Sequence, residues 1–533
     1  MSAKKQSFIK GAAILAIAGI VSKALGAIYR IPLGNIIPSE GMAYYQTAYD
    51  LYVWALTLSS YSIPIAISKL VSERIELGRR DEAHKIFKVA FVLIAFLGII
   101  LAAVVFFNAQ AFAEGLRNPN SFVAILCVSP AIFIVSLSAA FRGYFQGMQN
   151  MTPSAVSQVS EQIGRVIFGF ILAIILLPYG YKIAAGGAIF GTTVGSAVGL
   201  ATLIYIYTRN KRDIKESIRP VRSSHTESAL SIAKKIIVFA IPITIGGSIM
   251  PVMGLLDTFI VMDRLQAAGY TQVMAASLFG QLKAMAGSFI NLPQVFTIAL
   301  GASLVPTISE SIARNDMRAV GQKSQLAIRI SLLVGLPAAL GLFTLADPIM
   351  RMIYPKEPDT LGMALRYMAP SVIFLTLVQT MTGILQGMGK ERVPVVNMVI
   401  GAIAKVIVSY VLTSIPWFNI RGAALGTVVG YGVSAFLNLQ AVVKYQKGAL
   451  NVWKILVKPC IATFFMSITA YSSYRLIFLY TMRNSIATLA SIMLAALVYC
   501  VVLLVIKGIT LEEIEMAPGG KRLSVALKKK GLL

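Results

Sequence analysis

Residues 142–148 read Arg-Gly-Tyr-Phe-Gln-Gly-Met, and residues 382–388 read Thr-Gly-Ile-Leu-Gln-Gly-Met. The surroundings of the two stretches also match. A proline precedes the first glycine by thirteen residues in both, as Pro130 and as Pro370. Equal spacing around two similar stretches indicates an internal duplication with a period of roughly 240 residues, which is far longer than a solenoid repeat.

The match continues downstream of both stretches. A basic residue follows each first glycine by 22 residues, as Arg165 and as Lys405. Further on, residues 187–195 and 422–430 share the pattern Gly-Ala-x-x-Gly-Thr-x-Val-Gly. Composition alone does not place glycine, glutamine, proline and basic positions in the same order twice, so we interpret the chain as two related halves.

The composition is that of a membrane protein. The 533 residues are 57% hydrophobic and only 13% charged, whereas soluble domains carry about 25% charged residues. The three cysteines all lie in apolar runs, and no Cys/His spacing typical of a metal site occurs. The net charge of +26 comes mainly from Lys and Arg in short loops, where such residues set the orientation of a membrane protein rather than bind nucleic acid.

Apolar runs of about 20 residues, each long enough to cross a bilayer, recur along the whole chain. They predict an all-α protein with fourteen membrane spans. The predicted spans 1 to 14 are 8–36, 45–72, 85–107, 121–146, 154–177, 184–208, 232–262, 277–304, 323–346, 366–388, 394–415, 422–444, 453–479 and 485–506.

Loop charges predict how these spans are oriented. Lys and Arg are concentrated at the N-terminus and in the loops after even-numbered spans, whereas residues 37–44 after span 1 contain none. Basic loops stay on the cytoplasmic side. We therefore expect a multi-pass protein of the cytoplasmic membrane with both termini in the cytoplasm.

The duplication predicts the domain organisation, because it pairs spans 4, 5 and 6 with spans 10, 11 and 12. An offset of six spans gives both halves the same orientation in the membrane, with spans 13 and 14 as an addition. The predicted parts are an N-terminal six-helix lobe at 1–208, a linker at 209–231, a second six-helix lobe at 232–444, the extra helices at 445–507, and a basic cytoplasmic tail at 508–533 that contacts membrane lipids.

Ionisable residues inside the spans are the candidate binding residues, because each costs roughly 2.5–3.5 kcal/mol to insert on translocon scales. Basic residues outnumber acidic ones among them, which favours an anionic substrate. The candidates are Lys23, Arg30, Asp50, Arg165, Asp257, Lys283 and Lys405.

Several of these charges have a structural interpretation as well. Lys23 and Arg30 lie seven residues apart, hence on one helical face, with no acidic residue in their own span. They are the strongest candidates for substrate contact. Glu161 and Arg165 are four residues apart and can form an intrahelical pair. Arg142 lies near the end of span 4, where a side chain can snorkel to the membrane surface.

Four motifs resemble those of a known family and its relatives. Residues 292–309, Leu-Pro-Gln-Val-Phe-Thr-Ile-Ala-Leu-Gly-Ala-Ser-Leu-Val-Pro-Thr-Ile-Ser, resemble the span-8 signature of the MurJ lipid II flippases. Residues 22–26, Ser-Lys-Ala-Leu-Gly, resemble a span-1 motif of that family. Residues 29–33, together with the Gly-x-x-Gln-Gly-Met of span 4, are closer to the YtgP/SpoVB branch of the polysaccharide transporter family, which belongs to the multidrug/oligosaccharidyl-lipid/polysaccharide exporter superfamily.

The resemblance implies a lipid-linked precursor in a cationic cavity between two lobes, with its lipid tail in a groove made by spans 13 and 14. Lys23 matches a basic cavity position of the family, and Arg30 falls within one residue of the next. The basic position of span 8 corresponds to about Ser288, with Lys283 more than a turn away. Asp50 is the residue nearest to the acidic position of span 2.

The expected function is a flippase for an undecaprenyl-pyrophosphate-linked cell-wall precursor, with lipid II first among the candidates. Another lipid-linked polysaccharide or a sporulation-specific precursor stays open, and a drug/cation antiporter would need a carboxylate-dominated cavity. The short outer loops and the lack of a nucleophile–base arrangement argue against an enzyme. We expect no catalytic residue, metal or cofactor, and possible coupling to the membrane potential or a monovalent cation. The expected partners are the anionic glycan precursor, membrane lipids and cell-wall synthesis enzymes, but no nucleic acid.

Overall fold

The computed structural model describes residues 8–210, 227–446, 453–506 and 508. Apart from turns and short loops, these residues are helical, and they contain no β-strand. Most of the predicted linker and nearly all of the predicted basic tail lie outside the described residues.

The described residues contain fourteen helical segments that are long and apolar enough to cross a membrane, which confirms the predicted fold class. The predicted ends are accurate to within a turn or two for most spans. The observed spans 1 to 14 are Ala13–Ile36, Ser39–Glu76, Arg80–Phe107, Pro119–Gly147, Thr152–Tyr179, Tyr181–Arg209, Ala229–Ala267, Gln272–Ala313, Met317–Thr344, Thr360–Gly387, Arg392–Thr413, Ile420–Gln446, Ile455–Thr481 and Asn484–Val505.

Contacts within the chain divide it into two compact units, Met1–Ala284 and Met285–Leu533. The first unit contains span 7 and the beginning of span 8 as well as spans 1 to 6, so its end differs from that of the lobe defined by the repeat. Its α-helices are Phe8–Ile36, Ser39–Leu56, Ile63–Glu76, Arg80–Phe107, Ala109–Gly115, Phe122–Gly147, Thr152–Leu176, Tyr181–Arg209, Ala229–Ala267 and Gln272–Phe279.

The second unit contains the remaining spans. Its α-helices are Gly287–Ala313, Met317–Thr344, Ala346–Ile353, Thr360–Met368, Ser371–Gly387, Arg392–Thr413, Ile420–Gln446, Lys458–Thr481 and Asn484–Val505. A π-helical segment, Gly280–Ala286, lies at the junction of the two units within span 8. Another, Thr57–Tyr61, interrupts span 2.

The glycines of the repeated stretch pack in the same register in both units. A Cβ atom added to Gly147 would lie 2.7 Å from the Cβ of Val71, and one added to Gly387 would lie 2.7 Å from the Cβ of Ile308. Only glycine allows the helices to approach this closely. Span 4 therefore packs on span 2 as span 10 packs on span 8.

The second repeated motif also makes equivalent contacts. A Cβ on Gly195 would lie 2.5 Å from the carbonyl oxygen of Glu161. A Cβ on Gly430 would lie 3.0 Å from the carbonyl oxygen of Gly401, which is the counterpart of Glu161 in the repeat. Spans 5 and 6 thus pack as spans 11 and 12 do, and the duplication predicted from the sequence holds at the level of individual contacts.

Candidate functional site

Six of the seven candidate residues lie in the first unit. Spans 1, 2, 5 and 7 and the π-helical segment of span 8 provide them, in the order Lys23, Arg30, Asp50, Arg165, Asp257 and Lys283. Lys405 lies in the second unit, half-buried in span 11. The site described below is therefore the cluster within the first unit.

Arg30 and Arg165 converge on the ring of Tyr49. The guanidinium carbon of Arg30 lies 4.9 Å from the centroid of this ring, and that of Arg165 lies 5.9 Å from it. Both distances are within the range of a cation–π contact. Three residues from spans 1, 2 and 5, which are far apart in the sequence, therefore meet at one point.

Tyr49 belongs to a row of tyrosines on one side of span 2. Its ring stacks on that of Tyr45 with a centroid distance of 6.2 Å and lies 6.1 Å from that of Tyr52. The spacings of four and three residues put these side chains on one helical face. Tyr29 of span 1 packs edge-on against Tyr45 and donates a hydrogen bond to the Ala188 carbonyl oxygen. This packing fixes the position of Tyr49.

Glu161 is shared unequally between two arginines. Its carboxylate lies 2.8 Å from Arg142 but 3.8 Å from Arg165. Arg142 also donates two hydrogen bonds to Ser157, at 2.8 and 3.1 Å. Arg142 is thus held inside the unit by neighbouring side chains, with only 14% of its side chain exposed, so the snorkelling interpretation is wrong for this residue.

Arg165 makes no hydrogen bond with any described residue, although only 12% of its side chain is exposed. Its Nε atom is buried without a partner among the described atoms. A guanidinium carries five N–H donors, and buried donors are normally satisfied. The intrahelical pair predicted for Glu161 and Arg165 is thus a loose contact that leaves the donors of Arg165 available.

The acidic candidates are engaged with neighbouring side chains. Asp50 accepts hydrogen bonds from Gln46 at 2.7 Å and from Thr258 at 3.0 Å. Asp257, only 6% exposed, forms an ion pair with Lys283. The π-helical segment of span 8 presents Lys283 to this carboxylate, and such segments are frequent at functional sites. The charge of Lys283 is therefore largely offset by Asp257.

Lys23 and Arg30 have no carboxylate partner among the described residues. Lys23 is exposed, whereas Arg30 is half-buried beside Tyr49. Lys23 and Arg30 nevertheless differ in their surroundings, because the guanidinium group of Arg30 lies over the ring of Tyr49, which Arg165 also contacts. The cluster keeps a positive excess, because it contains three carboxylates, Asp50, Glu161 and Asp257, but five basic side chains, those of Lys23, Arg30, Arg142, Arg165 and Lys283.

The sequence analysis missed Tyr49, Arg142 as a partner of Glu161, and Thr258 as a partner of Asp50. The tyrosines could have been found, because Tyr45, Tyr49 and Tyr52 recur at helical spacing in an apolar span. The contacts from Arg142 to Glu161 and from Thr258 to Asp50 join different spans, so no local pattern indicates them.

Residues 8–312, more than half of the chain, match the family described as polysaccharide biosynthesis protein. The chain belongs to this family. Residues 242–411 also match the MatE family. The resemblance inferred from the motifs of spans 1, 4 and 8 is thereby confirmed.

Curated relatives extend over nearly the whole chain. Stage V sporulation protein B of Bacillus subtilis is 29% identical over 96% of this chain and 98% of its own length. Lipid II flippase MurJ of the same organism is 28% identical over 86% of both chains. The uncharacterised membrane protein YabM, also from Bacillus subtilis, is 27% identical over 99% of this chain and 98% of its own.

Solved structures share the fold of this family member. Lipid II flippase MurJ in an inward closed conformation superimposes with a TM-score of 0.63 at 16% identity, over 93% of this chain and 98% of that one. A multidrug resistance MATE family transporter of the MOP superfamily, in an inward-facing conformation, superimposes with a TM-score of 0.65 at 15% identity. The match covers 80% of this chain and 96% of that one. The chain is a multi-pass membrane protein, and its relatives with a stated activity are transporters, which confirms that it is not an enzyme.

Proposed function

We propose that this protein is a flippase that moves a lipid-linked anionic glycan precursor across the cytoplasmic membrane by alternating access. The precursor is linked through undecaprenyl pyrophosphate, and lipid II is the first candidate. In this proposal the basic loops face the cytoplasm together with both termini, and the membrane potential or a monovalent cation provides the energy.

The observation that carries the proposal is the excess of positive charge in the first unit. Lys23 and Arg30 have no carboxylate partner among the described residues, and Arg165 has only a loose contact of 3.8 Å with Glu161, which lies closer to Arg142. A diphosphate needs cationic hydrogen-bond donors when it leaves water, and charge-assisted bonds to phosphate are among the strongest that side chains make. Insertion of unpaired cations into a membrane span is costly. A ligand of opposite charge is the simplest reason for a protein to keep them.

The named relatives support the same class of substrate. One is called a lipid II flippase and another a stage V sporulation protein. A precursor specific to sporulation, or another lipid-linked polysaccharide, is therefore the main alternative for the headgroup. A drug/cation antiporter, suggested by the likeness to MATE transporters, is a weaker alternative, because Asp257 is paired with Lys283 and Asp50 is already hydrogen-bonded.

The test is precursor translocation by variants of the two span-1 cations. Lys23→Ala and Arg30→Ala should reach the membrane at normal abundance but fail to expose lipid-linked precursor on the outer surface. Arg264→Ala is a matched control, because Arg264 is also a half-buried arginine of the first unit. Its removal leaves Asp263 with an ion pair, because Asp263 also contacts Arg117 at 3.1 Å. Normal translocation by the double variant Lys23→Ala/Arg30→Ala would refute the proposal.

Depletion of the protein identifies the headgroup class. If the substrate is lipid II, depleted cells should lyse during growth, whereas a precursor specific to sporulation predicts normal growth with defective spores. Either phenotype is consistent with a flippase, and the choice between them assigns the precursor.

A further inference from the structure

We infer that span 7 and the first turns of span 8 move together with spans 1 to 6 during transport, and that the chain flexes within the π-helical segment Gly280–Ala286. The inference rests on the proposed function, because it assigns the moving boundary that alternating access requires. It differs from the boundary that the repeat predicts, which lies in the linker 209–231 between two six-helix lobes.

Span 7 shares a packed core with the spans that precede it. Ile232, Ile236 and Ala240 of span 7 are buried in one cluster with Ile67 of span 2 and Phe87 of span 3. Helices in a membrane associate largely through such van der Waals packing, and a packed interface has discrete arrangements rather than a continuous range of them. Separation of span 7 from spans 2 and 3 would therefore break a well-packed interface.

Polar contacts hold the inner end of span 7. Glu227 lies two residues before this span and forms an ion pair with Arg74 of span 2 at 3.1 Å, and both side chains are only 21% exposed. The carbonyl oxygen of Glu227 also accepts a hydrogen bond from Lys85 of span 3 at 2.6 Å. The beginning of span 7 is thus attached to two spans of the first half.

Further contacts with span 2 follow along span 7. Ser62 and Thr244 form a hydrogen bond between their hydroxyl groups, and a Cβ atom added to Gly247 would lie 2.6 Å from a ring carbon of Tyr61. Closer to the outer end, Thr258 donates a hydrogen bond to Asp50. Polar groups inside a membrane are costly to leave without partners, so these bonds oppose a separation of the two spans.

The outer end of span 7 and the beginning of span 8 are attached to the same spans. Asp263 forms an ion pair with Arg117 at 3.1 Å, and the hydroxyl groups of Ser277 and Ser39 form a hydrogen bond at 2.7 Å. A Cβ atom added to Gly280 would lie 1.9 Å from the Ser39 carbonyl oxygen. Only glycine permits this approach, so span 8 packs tightly on span 2 up to the first residue of the π-helical segment.

The contacts of span 8 change after the π-helical segment. Within Gly287–Ala313, which follows it, Ser309 donates a hydrogen bond to the Gly387 carbonyl oxygen of span 10 at 3.0 Å. A π-helical turn has the i→i+5 hydrogen bonds of an irregular helix, and helices bend at such turns. A change of winding there would let the two parts of span 8 move while each part keeps its own contacts.

Spin-label distances test which spans move together. Labels are attached to cysteines at Leu77 of span 2, Leu230 of span 7 and Val396 of span 11, all of which are exposed. The full-length protein is studied in lipid nanodiscs, with alanine in place of its natural cysteines Cys127, Cys460 and Cys500. On addition of lipid II, the distance from Leu77 to Leu230 should stay constant, whereas both distances to Val396 should change.

The outcomes separate this inference from the function on which it rests. If the distance from Leu230 to Val396 stays constant while that from Leu77 to Leu230 changes, span 7 moves with the second half. The inference would then be wrong, and alternating access would stand. If none of the three distances changes with lipid II, alternating access of this substrate fails and the inference fails with it.

A disulfide across spans 2 and 8 gives a second test. Ser39→Cys/Ser277→Cys replaces two hydroxyl groups that already touch, so the two sulfur atoms lie close enough to be joined. The oxidised variant should translocate precursor as well as its reduced form, because the two residues need not separate. Ser62→Cys/Thr244→Cys gives the same expectation for spans 2 and 7. A loss of translocation on oxidation that reduction restores would overturn the inference.

Deletion of Ala286 tests the flexing segment itself. An α-helix closes its hydrogen bonds over four residues and a π-helix over five, so removal of one residue should leave a continuous α-helix. Translocation should be lost, and the distance from Leu77 to Val396 should no longer change with lipid II. Ala286→Gly keeps the number of residues and is the control. Thermal unfolding checks that the deletion variant is folded, and a folded variant that translocates precursor would show that the chain flexes elsewhere.

Discussion

The two copies of the repeat share their packing but differ in their charges. In spans 5 and 6 a glycine of one helix packs on the backbone of the other at Glu161, and in spans 11 and 12 the same contact occurs at Gly401. In the first copy, Arg142, Glu161 and Arg165 form a charged group. The corresponding residues of the second copy are Thr382, Gly401 and Lys405.

This difference distinguishes the residues required for helix packing from the charged residues of the first copy. Both copies must pack helices closely, so both keep small residues where a side chain would collide with backbone. Only the first copy carries the arginine-rich cluster, and that cluster is not needed for the packing, because the second copy packs in the same way without it. The charges are therefore best explained by the function of the first unit.

The same contrast occurs at the end of span 2 and at its counterpart in span 8. Arg74 forms ion pairs with Glu82 at 3.0 Å and with Glu227 at 3.1 Å. Residues 72–75, Ser-Glu-Arg-Ile, correspond to residues 309–312, Ser-Glu-Ser-Ile, so Ser311 is the counterpart of Arg74. Ser311 is neutral and accepts a hydrogen bond from Lys323 at 2.9 Å. In the first unit this ionic cluster joins span 2 to the residues just before span 7.

The largest effect is expected from removing the acidic member of the charged group. Glu161→Gln leaves Arg142 and Arg165 buried without a carboxylate, which should cost about 3–5 kcal/mol of stability, the usual penalty for breaking a buried pair. Thermal unfolding in detergent measures it. Glu310→Gln is the control, because Glu310 is exposed and its one ion pair with a described residue is to Arg314, which is also exposed and lies four residues away. Equal stability of the two variants would mean that the charged group is not the distinctive feature of the first copy.

The next effect tests the shared packing. Gly195→Ala and Gly430→Ala should each cost about 1–3 kcal/mol, because the new methyl group would overlap with the facing helix. Gly246→Ala is the matched control, since no neighbouring atom lies within 4 Å of a Cβ placed there. If only one of the two copies were sensitive, the two packing contacts would not be equivalent.

A smaller effect is expected at the ends of spans 2 and 8. Ser311→Ala removes the hydrogen bond that Ser311 accepts from Lys323 and the one that it donates to the Thr307 carbonyl oxygen within its own helix, while Lys323 still donates to that carbonyl oxygen. Because a serine bond to the preceding turn of its own helix adds little stability, a loss of about 0.5–1.5 kcal/mol is expected. Arg74→Gln should cost more, because Glu82 is nearly buried and would retain only Arg79 at 3.7 Å. The unfolding midpoints of the two variants measure these losses of stability, and Arg74→Gln should have the lower midpoint. A lower midpoint for Ser311→Ala would contradict the difference drawn between the two copies.

The smallest effect is a pH dependence in the first unit. Hydrogen bonds from Lys235, Ser231 and Arg74 lower the pKa of Glu227 to about 2. A lowered pKa stabilises the folded state above the ordinary value of 4.5, and this contribution is lost as the pH falls toward 2. The difference in unfolding temperature between the wild type and Glu227→Gln should therefore be largest near neutral pH, and it should decrease as the pH falls from 4.5 to about 2. A difference that stays constant with pH would show that Glu227 does not act through its charge.

The sequence predicted the spans well because its signal is local. A bilayer requires about 20 apolar residues in a row, and such runs are visible without knowledge of the partners. The span ends were less accurate where polar residues continue a helix beyond the apolar run, as at Ser39 and Ala313. The lobes at 1–208 and 232–444 stay a prediction, because they rest on the repeat rather than on the contacts that define the two units.

The candidate residues were found but their roles were not. Intramembrane charges are rare enough to stand out, so Arg30, Asp50, Arg165, Asp257 and Lys283 could be named from the sequence. Whether a charge is paired depends on residues from other spans. Asp50 meets Thr258, which is 208 residues away, and no period or motif encodes such a contact.

The sequence by itself therefore determined the fourteen helical segments of the described residues that are long and apolar enough to cross a membrane, and the relation between the two halves. Hydrophobic length and glycine spacing act over only one or two helices, so they can be recognised without the tertiary structure. Only the tertiary structure decided which cations are neutralised. It placed Arg142 against Glu161 and Lys283 against Asp257, and it brought Arg30 and Arg165 to one tyrosine ring. The physical reason is that the interaction of two charges depends on their distance and burial, which folding sets for residues far apart in the chain.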